Sequence, residues 1–332
     1  MKAIVFDRYG SADVLELRDL EIPDVGDDGV LVRVEAASLN PYDWHLMTGL
    51  PYVVRPKELG LRPKVSGIGA DLAGRVEAVG QNVTGVRPGD DVYGRVDTLP
   101  GTKLLALGSV AEYVRVSVDS IRPRPACLTA EEAAAVPLAA TTALWGLHDV
   151  GRLQPGVRVV INGASGGVGT FAVQIAKAAG AEVTGVCSAR NVDLVRSIGA
   201  DHVIDYTRED PTRGARRFDL VLDNVGNHPP GAWRRVMAPT ATYVASFGQP
   251  EHLWFGPFAR LLRMFVVAPF ISQRMTLLQP QRRDEDLDRL SALIESGNVT
   301  PVIDRTYPLA DTRAAMEYLA QGHARGKVVI TI

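Results

Sequence analysis

The chain has 332 residues, 46% of them hydrophobic and 22% charged, with a net charge of −2. That balance is close to the average of water-soluble globular proteins and leaves no polycation to neutralise a phosphate backbone, so nucleic-acid binding is not expected as its main role. Only two cysteines, Cys127 and Cys187, are present; they exclude a disulfide scaffold and a cysteine-rich zinc site, and they fit a reducing, cytoplasmic compartment.

The opening MKAIVFDRYG reads as a first strand rather than a signal peptide. Short apolar runs at Ala3–Phe6, Val30–Val34 and Gly74–Val79 are bounded by Gly, Pro and Asp, the pattern of short strands joined by tight turns. Pro88-Gly89-Asp90 is a turn before another strand. The two prolines of Ile121-Arg122-Pro123-Arg124-Pro125 suggest a linker. Beyond it the texture becomes Ala-rich, and Thr129 with Glu132 three residues later has the form of a helix-capping box.

Strands and helices then alternate. Strands are expected at Val157–Ile161, Glu182–Val186, His202–Ile204, Leu220–Leu222 and Thr242–Ala245, and helices after the first and at Val192–Ile198. Near-continuous apolar strands separated by helices predict a parallel sheet covered on both faces, hence an α/β fold. A helix over Thr312–Gln321 and a strand over Lys327–Thr331 close the chain, and that strand resembles the β-rich first part. No run of about 18 apolar residues predicts a spanning helix. The apolar stretch His252–Phe270, interrupted by Arg and Pro, reads first as a core or subunit-interface element; a lid over an apolar substrate or a membrane-surface contact are the sharper readings.

Asn162-Gly163-Ala164-Ser165-Gly166-Gly167-Val168-Gly169 follows an expected strand and opens an expected helix, the setting of a dinucleotide-binding turn. Gly166 lets the backbone approach a pyrophosphate, and Gly169 lets the helix pack on the strand. Ala164 stands where the first glycine of that fingerprint belongs, and Gly163 before it supplies some of the missing freedom. The next strand ends in Val186-Cys187-Ser188-Ala189-Arg190-Asn191 with no acid to bind a ribose 2′-hydroxyl. A hydroxyl at Ser188 and a guanidinium at Arg190 suit a 2′-phosphate instead, which points to NADP(H); the alternative is that Arg190 is a solvated loop residue.

Taken together, Gly67, Gly69, Asp71, Gly74, Val76, Val79 and Gly80, then Pro88-Gly89-Asp90 with Val92, Leu138–Gly146, Asn162–Gly169 and the closing Gly326-Lys327-Val328-Val329, resemble the medium-chain dehydrogenase/reductases over nearly the whole chain. Within them the sequence is similar to the zinc-free quinone oxidoreductases, and its apolar insertion to the reticulon-interacting-protein-like branch. The resemblance implies a GroES-like β-rich domain of residues 1–122 completed by 298–332, a Rossmann domain with a doubly wound parallel sheet over 123–297, an active site in the cleft between them, and a homodimer.

The resemblance also bears on metal. Zinc-binding members carry a Cys, a His and a third ligand at positions that match Asn40, Ala70 and Leu138 here, so no metal is expected. Around Asn40, the Asn and Asp of the zinc-free members match Asn40 and Asp43, and His45 stands where a Tyr is usual. Asn40 would orient the acceptor, and Tyr42 or His45 would donate the proton that completes reduction. The blander reading is that His45 only packs against the cofactor and Asp43 is structural. Further cofactor contacts carried over are Thr142, Ala164, Ser165, Gly166, Gly167, Val168, Tyr206, Asn224, Asn227, Phe247 and Gly248. Lys327 reads as a solvated charge in preference to a phosphate contact, and Cys127 and Cys187 as small packed apolar groups. His148, His202, His228, His252 and His323 show no ligand spacing. The function expected is NADPH-dependent reduction of a small, apolar, electron-poor quinone or α,β-unsaturated carbonyl. The alternatives are a zinc-free NADP-dependent alcohol dehydrogenase or carbonyl reductase, and a non-catalytic NADPH-binding protein that acts through 252–270.

Overall fold

A computed structural model describes residues 1–50, 63, 66–96, 108–246, 272–278, 283 and 285–332. Its chain forms two compact units: Met1–Leu138 with Leu287–Ser291 and Pro301–Ile332, and Ala139–Asp286 with Ala292–Thr300.

The first unit begins with eight strands: β1 (Lys2–Phe6), β2 (Glu16–Asp19), β3 (Gly29–Leu39), β4 (Ser66–Gly67), β5 (Asp71–Val79), β6 (Asp91–Arg95), β7 (Tyr113–Ser117) and β8 (Ile121–Pro123). Helix α1 (Pro41–Thr48) follows β3 directly. β1 pairs with β2 and β4 in a small antiparallel sheet, while β3, β5, β6 and β8 run side by side in a larger one, with β7 also on β3. Val30, Val32 and Val34 of β3 pack with Leu72, Val92, Val116 and Ile121. The opposite parity of the strand, Ala37 and Leu39, joins Ile4, Phe6, Met47 and Ile68. One strand thus contributes to two cores because successive side chains alternate faces.

Residues 121–123 are a strand where a linker was expected. Val92 lies opposite Pro123, and Gly94 opposite Ile121. Pro123 is tolerated because β8 is the outer strand of its sheet and ends there, so the missing N–H leaves no ladder bond unmade. Arg124 beyond it pairs with Glu35 at 3.0 Å and Asp91 at 2.8 Å. Helix α2 (Ala130–Ala134) opens on the expected capping box: Thr129 Oγ1 accepts from the Glu132 N–H at 3.2 Å, and the Glu132 carboxylate from the Thr129 N–H at 2.9 Å.

After helix α3 (Pro137–Leu144), the second unit alternates β9 (Arg158–Asn162), α4 (Gly167–Ala178), β10 (Glu182–Cys187), α5 (Val192–Ser197), β11 (His202–Asp205), β12 (Phe218–Asp223), α6 (Pro230–Trp233), β13 (Met237–Ala245) and β14 (Arg274–Leu277). All six strands are parallel, in the order β11-β10-β9-β12-β13-β14. The order reverses between β9 and β12, and a doubly wound sheet offers its ligand crevice at that reversal, outside the strands' carboxyl ends. Val160, Val186, Val221 and Tyr243 are fully buried among Trp233, Val236 and Phe218, which is why these strands read as continuous apolar runs.

The tail comprises α7 (Glu285–Glu295), β15 (Ile303–Pro308), α8 (Thr312–Ala320) and β16 (Lys327–Thr331). β16 lies antiparallel to β3, with Val328 opposite Leu39, and carries parallel β15 on its other side. No described helix is long and apolar enough to cross a membrane. The apolar stretch 252–270 lies outside the described residues.

Candidate functional site

In the second unit the glycine-rich turn sits at the reversal point. Gly163 has φ +80°, a conformation that side chains resist, so it supplies the freedom that Ala164 cannot. A Cβ there would also lie 2.7 Å from Val225. Ala164 is fully buried and faces Gly185 of β10, whose own missing Cβ leaves room for the Ala164 methyl. Gly166 is the extended cap of α4, and a Cβ on it would meet nothing nearer than 3.5 Å. At Gly169, by contrast, a Cβ would lie 2.0 Å from the Gly163 carbonyl oxygen. The two glycines therefore do different things: one leaves open space, the other presses α4 onto the Gly163–Ala164 turn that follows β9. The first-turn N–H groups of Gly167, Val168 and Gly169 have no intrahelical acceptors, and no acid stands in that turn. The end of α4 is thus a donor cluster with a positive dipole.

The turn after β12 closes the other side. Asp223, fully buried, was not singled out by sequence reasoning, yet it organises the turn. Its Oδ1 accepts from Asn162 Nδ2 at 2.8 Å, Val225 N at 3.2 Å and Gly226 N at 2.8 Å, and its Oδ2 accepts from the Tyr243 hydroxyl at 2.7 Å. The signal in the sequence was an acid ending the apolar run Leu220-Val221-Leu222. Asn162 also donates to Asn227 Oδ1 at 2.9 Å. Asn224 is left with both side-chain amide atoms buried and without a protein partner. Such orphans are rare in folded proteins. Asn191 donates to Ser165 Oγ at 2.9 Å while its own Oδ1 is buried and unpartnered. An unpartnered buried amide, an open glycine and a donor-rich helix end together fit a dinucleotide.

Ser188 and Arg190 lie at the tip of β10, in and beside a 3₁₀ turn over Ala189–Asn191, with Arg190 exposed. The adjacent acid, Asp205 on β11, is engaged: it accepts from Thr207 N at 3.0 Å and Thr207 Oγ1 at 2.8 Å, which holds its carboxyl below the usual range, and it pairs with Arg208 at 3.5 Å. Tyr206, exposed, and Asn227 line one groove of about 450 Å³ with His228 and Thr207–Pro211. Thr142 is half-buried on α3. Phe247 and Gly248 lie outside the described residues.

In the first unit the residues around Asn40 form a buried polar cluster. Asn40 caps α1, and its neighbour Asp43 is fully buried. Asp43 Oδ2 accepts from the Asn40 N–H at 2.7 Å and Oδ1 from the Gly69 N–H at 2.8 Å, so the carboxylate ties α1 to the loop before β5. Asp71, also fully buried, accepts from Ser38 Oγ and Asn40 Nδ2, each at 2.9 Å, and from the Leu138 N–H at 2.8 Å. Lys327, expected to be a solvated charge, is 3% exposed. Its Nζ donates to Asn40 Oδ1 and to the Leu39 carbonyl at 3.3 Å and stands 3.6 Å from Asp71. A lysine at the first position of β16 is swept inward because that strand pairs beside Leu39. The Asn40 amide is consequently engaged at both ends within the protein, by Lys327 and by Asp71.

Tyr42 and His45 lie on the accessible part of α1. Tyr42 is 43% exposed. His45 Nδ1 is 2.9 Å from the Leu50 carbonyl, which can only accept, so Nδ1 carries the hydrogen and Nε2 is the basic nitrogen of the neutral ring. Trp44 packs edge-on to His45 at 5.3 Å. Among the other groups, Cys127 is exposed rather than packed, whereas Cys187 is buried and its thiol is pushed up to about 11 by desolvation. His202 pairs with Glu182 at the surface.

Burial raises the Asp43 pKa from 3.8 to about 6, against the two N–H bonds, with Asp71 adding to the rise and Lys327 opposing it. The folded chain therefore holds this proton more tightly than the unfolded chain. The resulting stability is full below about pH 4 and is lost as pH rises through about 6, a change of about 3 kcal/mol. Urea unfolding of the protein and of Asp43→Asn across this range is expected to show the difference between them change by that order; a flat difference contradicts it.

Comparison with known proteins agrees with this geometry. Residues 26–126 match the family described as Alcohol dehydrogenase GroES-like domain, and residues 198–330 the family described as Zinc-binding dehydrogenase. The chain is 32% identical to NAD(P)H oxidoreductase RTN4IP1, mitochondrial, of Mus musculus, over all of this chain and 89% of that protein. The chain belongs to the medium-chain dehydrogenase/reductase family. It is also 35% identical to the 2-methylene-furan-3-one reductase of Solanum lycopersicum, over 99% of this chain and 79% of that one. The quinone oxidoreductase of Coxiella burnetii superposes with a TM-score of 0.86 at 32% identity, covering 100% of this chain and 99% of that one. Membership of this NAD(P)H-dependent oxidoreductase family accounts for the GroES-like and Rossmann-type units. Zinc, which one family description implies, does not fit the residues at the matching positions: the Asn40 oxygen accepts from Lys327, and Ala70 and Leu138 have only hydrocarbon side chains. Among the described residues no group of three or more His, Cys, Asp or Glu could hold a metal ion.

Proposed function

We propose that the protein is an NADPH-dependent reductase that transfers hydride to a quinone or an α,β-unsaturated carbonyl without zinc. The observation that carries this reading is the chemistry at Asn40, Ala70 and Leu138. A reductase without a Lewis acid polarises an unactivated carbonyl poorly, so electron-poor acceptors are favoured. Relatives named as a quinone oxidoreductase and as a reductase of a methylene-furanone, itself a conjugated ketone, support that class. The dinucleotide, when bound, supplies the hydride. The chain's part is to receive the pyrophosphate at Gly166 and the α4 N-terminus, to satisfy the Asn224 amide, and to receive a 2′-phosphate at Ser188 and Arg190. One proton must join the hydride to give a hydroquinone or a saturated carbonyl; either the Tyr42 hydroxyl donates it, or His45 does from Nε2 of its protonated ring. Asn40 and Asp43 act by holding α1. We take the working state to be a homodimer, for which β14, the outermost described strand of its sheet, leaves a pairing edge.

Cofactor oxidation with a small quinone, an enone and a simple aldehyde tests this reading. Turnover of the first two is expected with NADPH, with NADH at least tenfold less effective and Arg190→Ala erasing that preference. Turnover of the aldehyde at a comparable rate, or loss of activity in chelator, would sink the acceptor assignment. If His45→Ala and Tyr42→Phe both leave kcat within a few-fold, neither is the proton donor.

A further inference from the structure

The cluster beneath α1 holds a feature that hydride transfer does not itself require: a buried lysine. Its ammonium has three hydrogens. Asn40 Oδ1 and the Leu39 carbonyl accept two, and the Asp71 carboxylate stands 3.6 Å away. Two of the three positions that resemblance gives to zinc ligands touch this assembly, and the third, Ala70, is next to it in the chain. Asn40 touches the ammonium with its side chain, Asp71 follows Ala70 in the chain, and the same Asp71 accepts from the Leu138 N–H at 2.8 Å. Buried ion pairs are weak stabilisers compared with well-packed apolar groups of similar volume, so packing alone does not explain a lysine here.

We propose that Lys327 is a positioning residue, an internal cation in place of a metal, that fixes Asn40 and with it the start of the helix bearing Tyr42 and His45. The Asn40 amide is gripped on one side by the ammonium and on the other by Asp71, while the Asn40 N–H donates to Asp43. The cap residue is therefore held from three directions, and the cation is the one element that no backbone geometry would replace. Without the positive charge Asp71 and Asp43 face each other uncompensated, and the Asn40 amide is held from its nitrogen side alone, its oxygen having lost the ammonium. The proposal rests on the reductase reading above for its effect on turnover, and its charge component can be read without turnover.

Lys327→Met keeps most of the shape and removes the charge. It is expected to lower kcat at least tenfold while KM for NADPH stays within about threefold. Lys327→Ala removes the atoms of one n-propylammonium ion. Added n-propylammonium is expected to restore both the thermal midpoint and kcat by several-fold, with n-propanol at the same concentration restoring neither. Equal rescue by n-propanol, rescue of the midpoint without kcat, or a Lys327→Met kcat within twofold of the parent would each overturn the proposal. If the single variants do not fold, the neutral pair Lys327→Met/Asp71→Asn removes both charges together; it is expected to fold and to show the same loss of kcat, and retained kcat refutes the idea. If the unaltered protein reduces no acceptor, the function reading fails, while the midpoint comparison of n-propylammonium with n-propanol still decides whether a cation is required.

Discussion

Asp71→Ala is expected to lower the stability of the protein by about 3–5 kcal/mol, the cost of stranding a buried charge by deleting its partner. Asp71 has no exposed surface and accepts from Ser38, Asn40 and the Leu138 N–H, with the Lys327 ammonium 3.6 Å away. Removing the carboxylate leaves three donors without that acceptor and the ammonium without its stronger counter-charge. Any one buried orphan costs about 1–3 kcal/mol. Burial already pulls the Lys327 pKa down, with Asp71 the strongest opposing charge and Asp43 the next. In Asp71→Ala the lysine is left with Asp43 alone, and part of the loss is relieved if the lysine gives up its proton. Asp71→Asn keeps one acceptor oxygen and is expected to fall between the parent and Asp71→Ala. Chemical unfolding of the three proteins checks the order. A loss below about 1 kcal/mol for Asp71→Ala would mean that water replaces the carboxylate and that the cluster is far wetter than its burial shows.

Gly166→Ala and Gly169→Ala, three residues apart, are expected to fail in different ways. Gly166 is an extended cap with φ −83°, which alanine adopts readily, and its new methyl would meet no atom closer than 3.5 Å. Stability should fall by only about 0.5–1 kcal/mol, the difference between glycine and alanine at a helix cap. That methyl enters the open space in which the proposed pyrophosphate would lie, so on that reading NAD(P)H affinity should drop at least tenfold. At Gly169 the methyl would lie 2.0 Å from the Gly163 carbonyl oxygen and 2.8 Å from the Ala164 backbone. Neither neighbour is a flexible side chain, so α4 must lift from the Gly163–Ala164 turn, at a cost of about 2–3 kcal/mol for an overpacked contact. Thermal unfolding together with NADPH titration separates the two. Equal loss of stability in both variants would remove the distinction between an open glycine and a packing glycine.

The parts of this chain that were legible in its sequence are those governed by neighbours in sequence. Thr129 and Glu132 are three residues apart, and the capping box they predict forms between their own backbones. Val159, Val160 and Ile161 predict a strand covered on both faces because the run is short, β-branched and bounded by glycine turns. Gly163 to Gly169 predict a turn because φ +80° and a Cβ-free contact are local demands. Even Ala164, a departure from the fingerprint, could be read as tolerable beside Gly163, although its compensation at Gly185 could not.

What escaped sequence reading depends on partners brought together from far along the chain. Lys327 has the form of a surface charge in Gly326-Lys327-Val328, and it becomes an internal cation only because β16 lies against β3 and brings Nζ to Leu39 and Asn40. Pro123 suggests a linker until β8 pairs with the edge of β6. Asp223 is one acid among many until Asn162, Tyr243 and two backbone N–H groups converge on it. The cysteine count, by itself, determined that no thiolate-rich metal site or disulfide framework is available here. Tertiary structure decided what stands beneath α1 instead, a lysine between an amide and a carboxylate, because the burial that gives a charge its strength is set by contacts nearly three hundred residues apart.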